Sequence, residues 1–183
     1  MDLTKGQELE LKKIVKSYFG DSWNYHHTIL AVSWMKKLIK AEGGNPLILV
    51  TAMYLHDIGY SKYLNSDNYT LADRIKAKKK HMIAGAMMAK SILKKLNFSN
   101  ANIEKIAHLI KIHDKIFEIK TKNEKMVMEA DSLAGIDHRK LPASFNKKDM
   151  KVYIKFFMST RAKLFKTNTG KKYLAVLLKY VKI

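Results

Sequence analysis

Residues Pro46 to Leu55, Pro-Leu-Ile-Leu-Val-Thr-Ala-Met-Tyr-Leu, are almost wholly apolar and run straight into the pair His56-Asp57. A segment with no polar face has to be buried on all sides, so whatever fold the chain adopts must be built around it. Burying a carboxylate and an imidazole at its end costs several kcal/mol unless they are paired, hydrogen-bonded or bound to a metal. The rest of the chain has to supply that partner.

The punctuation of the sequence points to helices. Only two Pro and eight Gly occur in 183 residues, no internal repeat is present, and apolar residues recur mostly at helical spacing. The fold class expected is all-α, a single-domain bundle of about six to eight helices spanning residues 1–183. Helices are expected over roughly 4–19, 24–41 and from Pro46 onward, the last opened by Asn45-Pro46 and closed by Gly59. Residues 60–80 read as a polar, Lys-rich, mobile connection in which Thr70-Leu-Ala-Asp73 caps a short helix. Further helices are expected at about 81–96, at 100–119 opened by Ser99 or Asn100, and at 123–136. The tail, 150–183, reads as two basic amphipathic helices broken near Thr167-Asn-Thr-Gly170 and packed on the domain rather than on a membrane.

Cysteine is absent, which excludes disulfides, thiolate metal sites and cysteine nucleophiles together. Any metal must then be held by imidazole and carboxylate, as suits Fe, Mn, Co, Ni, Zn or Mg. No leader-like N-terminus and no membrane-length apolar run is visible, so a cytoplasmic location is expected. The net charge of +19 raises nucleic acid as a partner, but only Arg74, Arg139 and Arg161 are arginines and the lysines are spread along the whole chain. A cationic rim around a site for a small phosphorylated molecule explains the charge equally well.

A helix turns about 100° per residue, so each histidine can be assigned to the apolar or the polar side of its helix. His27 continues the line of Ala31, Trp34 and Leu38, whereas His26 falls among Ser33, Lys37 and Lys40. His113 shares a stripe with Ile103, Ile106, Ile110 and Phe117, and His108 lies nearly opposite. His81 aligns with Ala84, Gly85, Met88 and Ile92, and Asp131 is followed one turn later by the small residues Ala134 and Gly135. His138 is left unplaced. Four histidines (His27, His56, His81, His113) and two carboxylates (Asp57, Asp131) are therefore expected to face inward from five helices. No counter-cations are visible on the same faces, and helical bundles assemble metal sites from such groups.

These residues resemble the pattern of the HD domain superfamily. The matching segments are Tyr25-His-His27-Thr, Ala52-Met-Tyr-Leu-His-Asp-Ile-Gly59 and Glu129-Ala-Asp-Ser-Leu133, over a core of about 25–137. His81-Met-Ile-Ala-Gly85 and Ile110-Lys-Ile-His113-Asp114 look like the two extra histidines of members with a two-metal centre. The resemblance implies a metal-dependent phosphohydrolase, often acting on nucleotides or other phosphate esters. It would place one ion on His27, His56, Asp57 and Asp131, and a second on Asp57, His81 and His113, with Asp57 bridging. The Glu-Asp pair of the alarmone hydrolases and the Gly-Tyr-Pro triplet of the cyclic dinucleotide phosphodiesterases are both missing after Asp57, and a small stand-alone member remains.

Substrate contacts are expected from Lys62 and Arg74 on the connection, beside Lys78, Lys79 and Lys80, and from Lys115 and Arg139, which follow His113 and Asp131 in the chain. A general acid for the leaving group is sought among Asp114, Asp73 and Asp67, and spacing does not choose among them. Two other functions compete. Some relatives with the same six ligands are di-iron oxygenases, and a non-catalytic, metal-stabilised scaffold binding nucleic acid or another anion would use the positive charge directly.

Overall fold

The computed structural model describes residues 3–64 and 69–181, and within them the chain forms eight α-helices and no strand. They are α1 (Lys5–Phe19), α2 (Trp23–Glu42), α3 (Pro46–Leu55), α4 (Leu71–Lys95), α5 (Asn100–Ile112), α6 (Lys122–Ile136), α7 (Lys147–Ser159) and α8 (Asn168–Leu178). Short 3-10 turns at Ile58–Lys62 and Arg161–Leu164 interrupt them. None of these helices is long and apolar enough to cross a membrane.

α3 is the axis of the bundle. Every residue from Leu47 to Leu55 is buried, and α1, α2, α5 and α6 pack around it. Asn45 caps its first turn through Ile48 N–H, with Pro46 at the first helical position, where a missing N–H costs nothing. The helix ends at Leu55, earlier than Gly59. The chain then tightens into the 3-10 turn that carries Ile58, Gly59 and Tyr60 inward.

That turn lies against α4 at backbone distance. A Cβ at Gly59 would stand 2.0 Å from the carbonyl oxygen of His81 and 2.6 Å from the amide nitrogen of Gly85. The small residues one turn after His81 thus serve close packing of α4 on the chain that leaves Asp57.

Three expectations are corrected. The connection at 60–80 and the helix at 81–96 are largely one element, because the Thr70/Asp73 capping box opens a continuous 25-residue helix. Its Lys, Arg and Ala residues are good helix formers despite the weak apolar pattern. The helix at 100–119 stops at Ile112, so Phe117 leaves the stripe and is 84% exposed. In the tail the break falls at the Arg161–Leu164 turn, while Thr167 caps α8 and Gly170 lies in its first turn.

A candidate metal centre

His56 and His113 reach the centre by the same local device. Each is the C-cap of its helix, and each ring donates Nδ1–H to the carbonyl three residues back, Met53 at 2.8 Å and Ile110 at 2.7 Å. Two orphan carbonyls at helix ends gain a donor, and both Nε2 lone pairs are left pointing into the bundle. His27 enters from α2, His81 from the middle of α4 and Asp131 from α6. Trp23 stacks on His27 at 4.9 Å between ring centres and Tyr60 on His81 at 3.7 Å, fixing both ring planes.

The six groups meet around Asp57. Its Oδ1 lies 3.4 Å from Nε2 of both His81 and His113, and its Oδ2 lies 3.5 Å from His56 Nε2 and 3.8 Å from His27 Nε2. Asp131 Oδ1 adds contacts of 3.0 Å to His27 Nε2 and 3.6 Å to His56 Nε2. Two triads, His27/His56/Asp57 and Asp57/His81/His113, therefore share one carboxylate, and all of these residues are buried.

The donor chemistry fits a cation. With Nδ1 of His56 and His113 committed as donors, a neutral ring presents a lone pair toward carboxylate oxygens that also carry lone pairs. His81 and His113 bring Nε2 to within 3.4 Å of Nε2, and His56 Nε2 has no hydrogen-bond partner. Only a positive charge between such groups makes the packing favourable, either a proton or a metal ion. Without metal, burial opposes charging of His56, but Asp57 and then Asp131 raise it to about 9. Burial dominates at His27 and His81 and pulls both below the ordinary imidazole value. Asp57 is held well below the carboxylate range, burial being outweighed by His56, His113, His81 and Arg74. One metal would be held by His27, His56, Asp57 and Asp131, and a second by Asp57, His81 and His113.

Counter-cations are present after all, on segments that helical faces alone did not connect to the site. Arg74 Nη2 donates to Asp57 Oδ2 at 3.0 Å. Arg161, from the turn after α7, donates Nη2 to Asp131 Oδ2 and to Asp114 Oδ1, both at 2.9 Å. Lys78 Nζ stands 3.6 Å from the same Asp114 oxygen. Burial works against ionisation of Asp114, yet Arg161 and Lys78 hold it at about 2. Of the three general-acid candidates, Asp114 is the one placed at the centre among the described residues, where it accepts from Arg161. Asp73 is occupied in capping α4, and Asp67 lies outside the described residues.

Of the expected substrate contacts, Arg74 and Lys78 reach the centre, and Lys79 and Lys80 are exposed. Lys62 is exposed and borders a surface depression beside Ser17 and Tyr18. Lys115 pairs with Glu118 at 3.0 Å, and Arg139 closes on Asp137 through Nε at 2.8 Å and Nη2 at 3.1 Å. The reason is geometric for Lys115: His113 points inward from a helix end, so a residue two positions on turns out to the surface. His26 and His108 are exposed as expected, and His108 Nε2 meets Glu124 at 2.8 Å. His138, left unplaced by its spacing, is partly buried beside Asp137 and is not among these contacts.

A cavity of about 310 Å³ opens onto the centre, with His27, Asp57, Asp114, Asp131, Arg74 and Arg161 at its inner end. Arg161 was missed as a site residue. Its signal was scarcity: a chain with 35 basic residues spends only three on arginine, and two of those three line this cavity. A rigid guanidinium fork suits carboxylates and phosphates better than a lysine ammonium does.

Residues 24–136 match the model of the HD domain, and the chain belongs to that family. Among solved structures, it is similar to a crystal structure of a predicted HD superfamily hydrolase from an uncultured Thermotogales bacterium. That likeness has a TM-score of 0.66 at 20% identity, covering 99% of this chain and 93% of the other. No curated protein matches the chain.

Proposed function

We propose that the protein is a metal-dependent phosphohydrolase that cleaves a small phosphate ester, nucleotides being among the candidates. The observation that carries this reading is the shared carboxylate of Asp57, with two imidazoles on one oxygen, two on the other, and cationic side chains at the mouth of the same cavity. A divalent ion held there would lower the pKa of bound water toward neutrality and neutralise developing charge on phosphorus oxygens.

The chain's own residues would do the rest. Arg74 holds Asp57 through Oδ2, the oxygen that also faces His27 and His56, and Arg161 holds Asp131 and Asp114. The three carboxylates Asp57, Asp114 and Asp131 are matched by Arg74, Lys78 and Arg161, so added divalent charge makes the inner cavity net positive and attractive to a phosphate dianion. A phosphoryl transition state spreads its charge over three oxygens, which the planar guanidinium groups can meet by hydrogen bonding.

The test begins with elemental analysis of protein purified without added metal. Phosphate release is then measured over a panel of nucleotides, sugar phosphates and simple monoesters with Mn, Co, Ni, Fe, Zn or Mg. The reading predicts one to two ions per chain and release from at least one ester; no release from any ester with any metal would sink it.

A further inference from the structure

The cavity has two chemically different halves. Its inner half carries the charges of the centre with Trp23 stacked on His27, whereas Leu71, Ile75, Phe145, Val152 and Phe156 line the rest. Apolar side chains continue to the rim and beyond: Ile75 is 62% exposed, Val152 56% and Phe156 48%. Those three come from facing positions on α4 and α7, so the patch belongs to the opening itself. Ser144 and Tyr153 bring the hydroxyl groups of the outer lining.

A ligand seated here meets cations at one end and hydrocarbon at the other. Hydroxyl-rich bodies, such as sugars, would give up water and find two hydroxyl groups in return, and an unpaired buried polar group is costly. An alkyl or aryl body would cover rim residues that otherwise stand in water, where a continuous apolar patch commonly marks a binding surface. Lys78 ties the halves together, since its Nζ stands 3.6 Å from Asp114 and 6.0 Å from the centre of the Phe156 ring. An amphiphile with its anionic head inward places charge and hydrocarbon each against its complement.

We infer that the substrate is a phosphate monoester with an apolar alkyl or aryl body, its phosphate at Arg74, Lys78 and Arg161 and its body against Ile75, Val152 and Phe156. The inference rests on the phosphohydrolase reading for its chemistry, though not for its binding preference.

The experiment compares octyl phosphate and 2-naphthyl phosphate with adenosine monophosphate and glucose 6-phosphate on the metal-loaded protein. The apolar esters should show kcat/KM at least tenfold higher. Val152→Asp, at an exposed position where the change is compatible with folding, should collapse that ratio to within threefold, chiefly by raising KM for the octyl ester. Binding is read separately by Trp23 emission, Trp34 being buried in the core. Octylphosphonate should shift the emission at tenfold lower concentration than methylphosphonate. Equal or better turnover of the nucleotide or the sugar phosphate overturns the inference while leaving the hydrolase reading intact. Tighter octylphosphonate binding without hydrolysis of any ester supports the pocket preference and removes the hydrolase.

Discussion

Arg74 Nη2 stands 3.0 Å from Asp57 Oδ2, on the carboxylate that joins both histidine triads. The same guanidinium donates Nη1 to Asn24 Oδ1 and to Tyr69 Oη, both at 3.1 Å, and lies 4.4 Å from the centre of the Tyr60 ring. Arg74 thereby links the start of α4, the start of α2 and the turn after α3 at one carboxylate. Its role toward a bound metal would be positioning: it fixes the orientation of Asp57 through the oxygen that also faces His27 and His56.

Arg74→Lys keeps the charge and loses the fork, so Asp57 should lose its fixed orientation while the fold survives. Outer-shell partners of metal ligands are worth on the order of 10- to 100-fold in affinity or activity. Metal titration by calorimetry beside kcat/KM should show losses of that order in both. Values within threefold of the parent would mean that Asp57 is oriented without Arg74.

Asp57→Ala should be more severe, because one residue supplies both oxygens around which the centre is built. Bound metal should fall to less than one tenth of the parent stoichiometry, and phosphate release by at least about 100-fold. Elemental analysis of the folded variant, checked by circular dichroism, is the measurement. Metal retained at full stoichiometry would overturn the assignment of Asp57 as the shared ligand.

His27, His81 and His113 were legible in the sequence because each lies on or at the end of a helix with an apolar stripe. His56 and Asp57 were legible because they end a segment that is apolar all round, and Asp131 because small residues follow it one turn on. That logic stops where helices stop. It ran the fifth helix on to Phe117, because a stripe of apolar residues carries no mark of the ring-to-carbonyl bond that lets His113 cap the helix at Ile112. It gave no address for Arg161, which sits in a 3-10 turn 30 residues beyond Asp131 and reaches the centre only through the packing of the tail. The lysines of α4 hid a helix since most of that segment faces water, and local charge density says nothing about which single basic residue turns inward.

The tail is fastened by a carboxylate that belongs to no metal triad. Glu129 is fully buried, and its Oε1 accepts from Lys166 N at 2.6 Å and Thr167 N at 3.0 Å, while its Oε2 accepts from the Thr167 hydroxyl. A Cβ at Gly170 would stand 2.2 Å from that Oε2. Glu129→Ala strands two backbone N–H groups and should cost about 2 to 5 kcal/mol. Because Arg161 precedes the fastened segment, activity should fall with it, and limited proteolysis should cut the tail faster than the body. A variant as protease-resistant as the parent would show that the tail is held elsewhere.

Gly59→Ala tests the close approach between the turn after Asp57 and α4. The new Cβ would meet backbone atoms, the His81 oxygen at 2.0 Å and the Gly85 nitrogen at 2.6 Å, which cannot swing aside as a side chain can. Destabilisation of at least about 2 kcal/mol is expected from such overpacking, a fall of roughly 4 to 8 °C in melting temperature at this chain length. Relief would have to move α4 and carry His81 away from Asp57, so metal affinity should drop together with stability. An unchanged melting temperature would show that the turn and α4 can separate freely.

The pairing of Glu124 with His108 sets a pH dependence of stability away from the metal centre. Burial favours the neutral acid, but His108, together with the backbone N–H groups of Thr121 and Lys120, lowers Glu124 from 4.5 to about 2. A carboxylate depressed in the folded state contributes stability that is fully present above its unfolded value and is lost as the pH falls through the folded one. The window runs from about 4.5 down to about 2, and a shift of this size corresponds to about 3 kcal/mol. Glu124→Gln should therefore be less stable than the parent by about 2 to 3 kcal/mol at pH 7, with the gap closing as the pH is lowered from 5 to 2.5. Urea unfolding of both proteins along that series measures it. A gap that stays constant with pH would assign the cost to lost hydrogen-bond geometry at the start of α6 instead of to the charge.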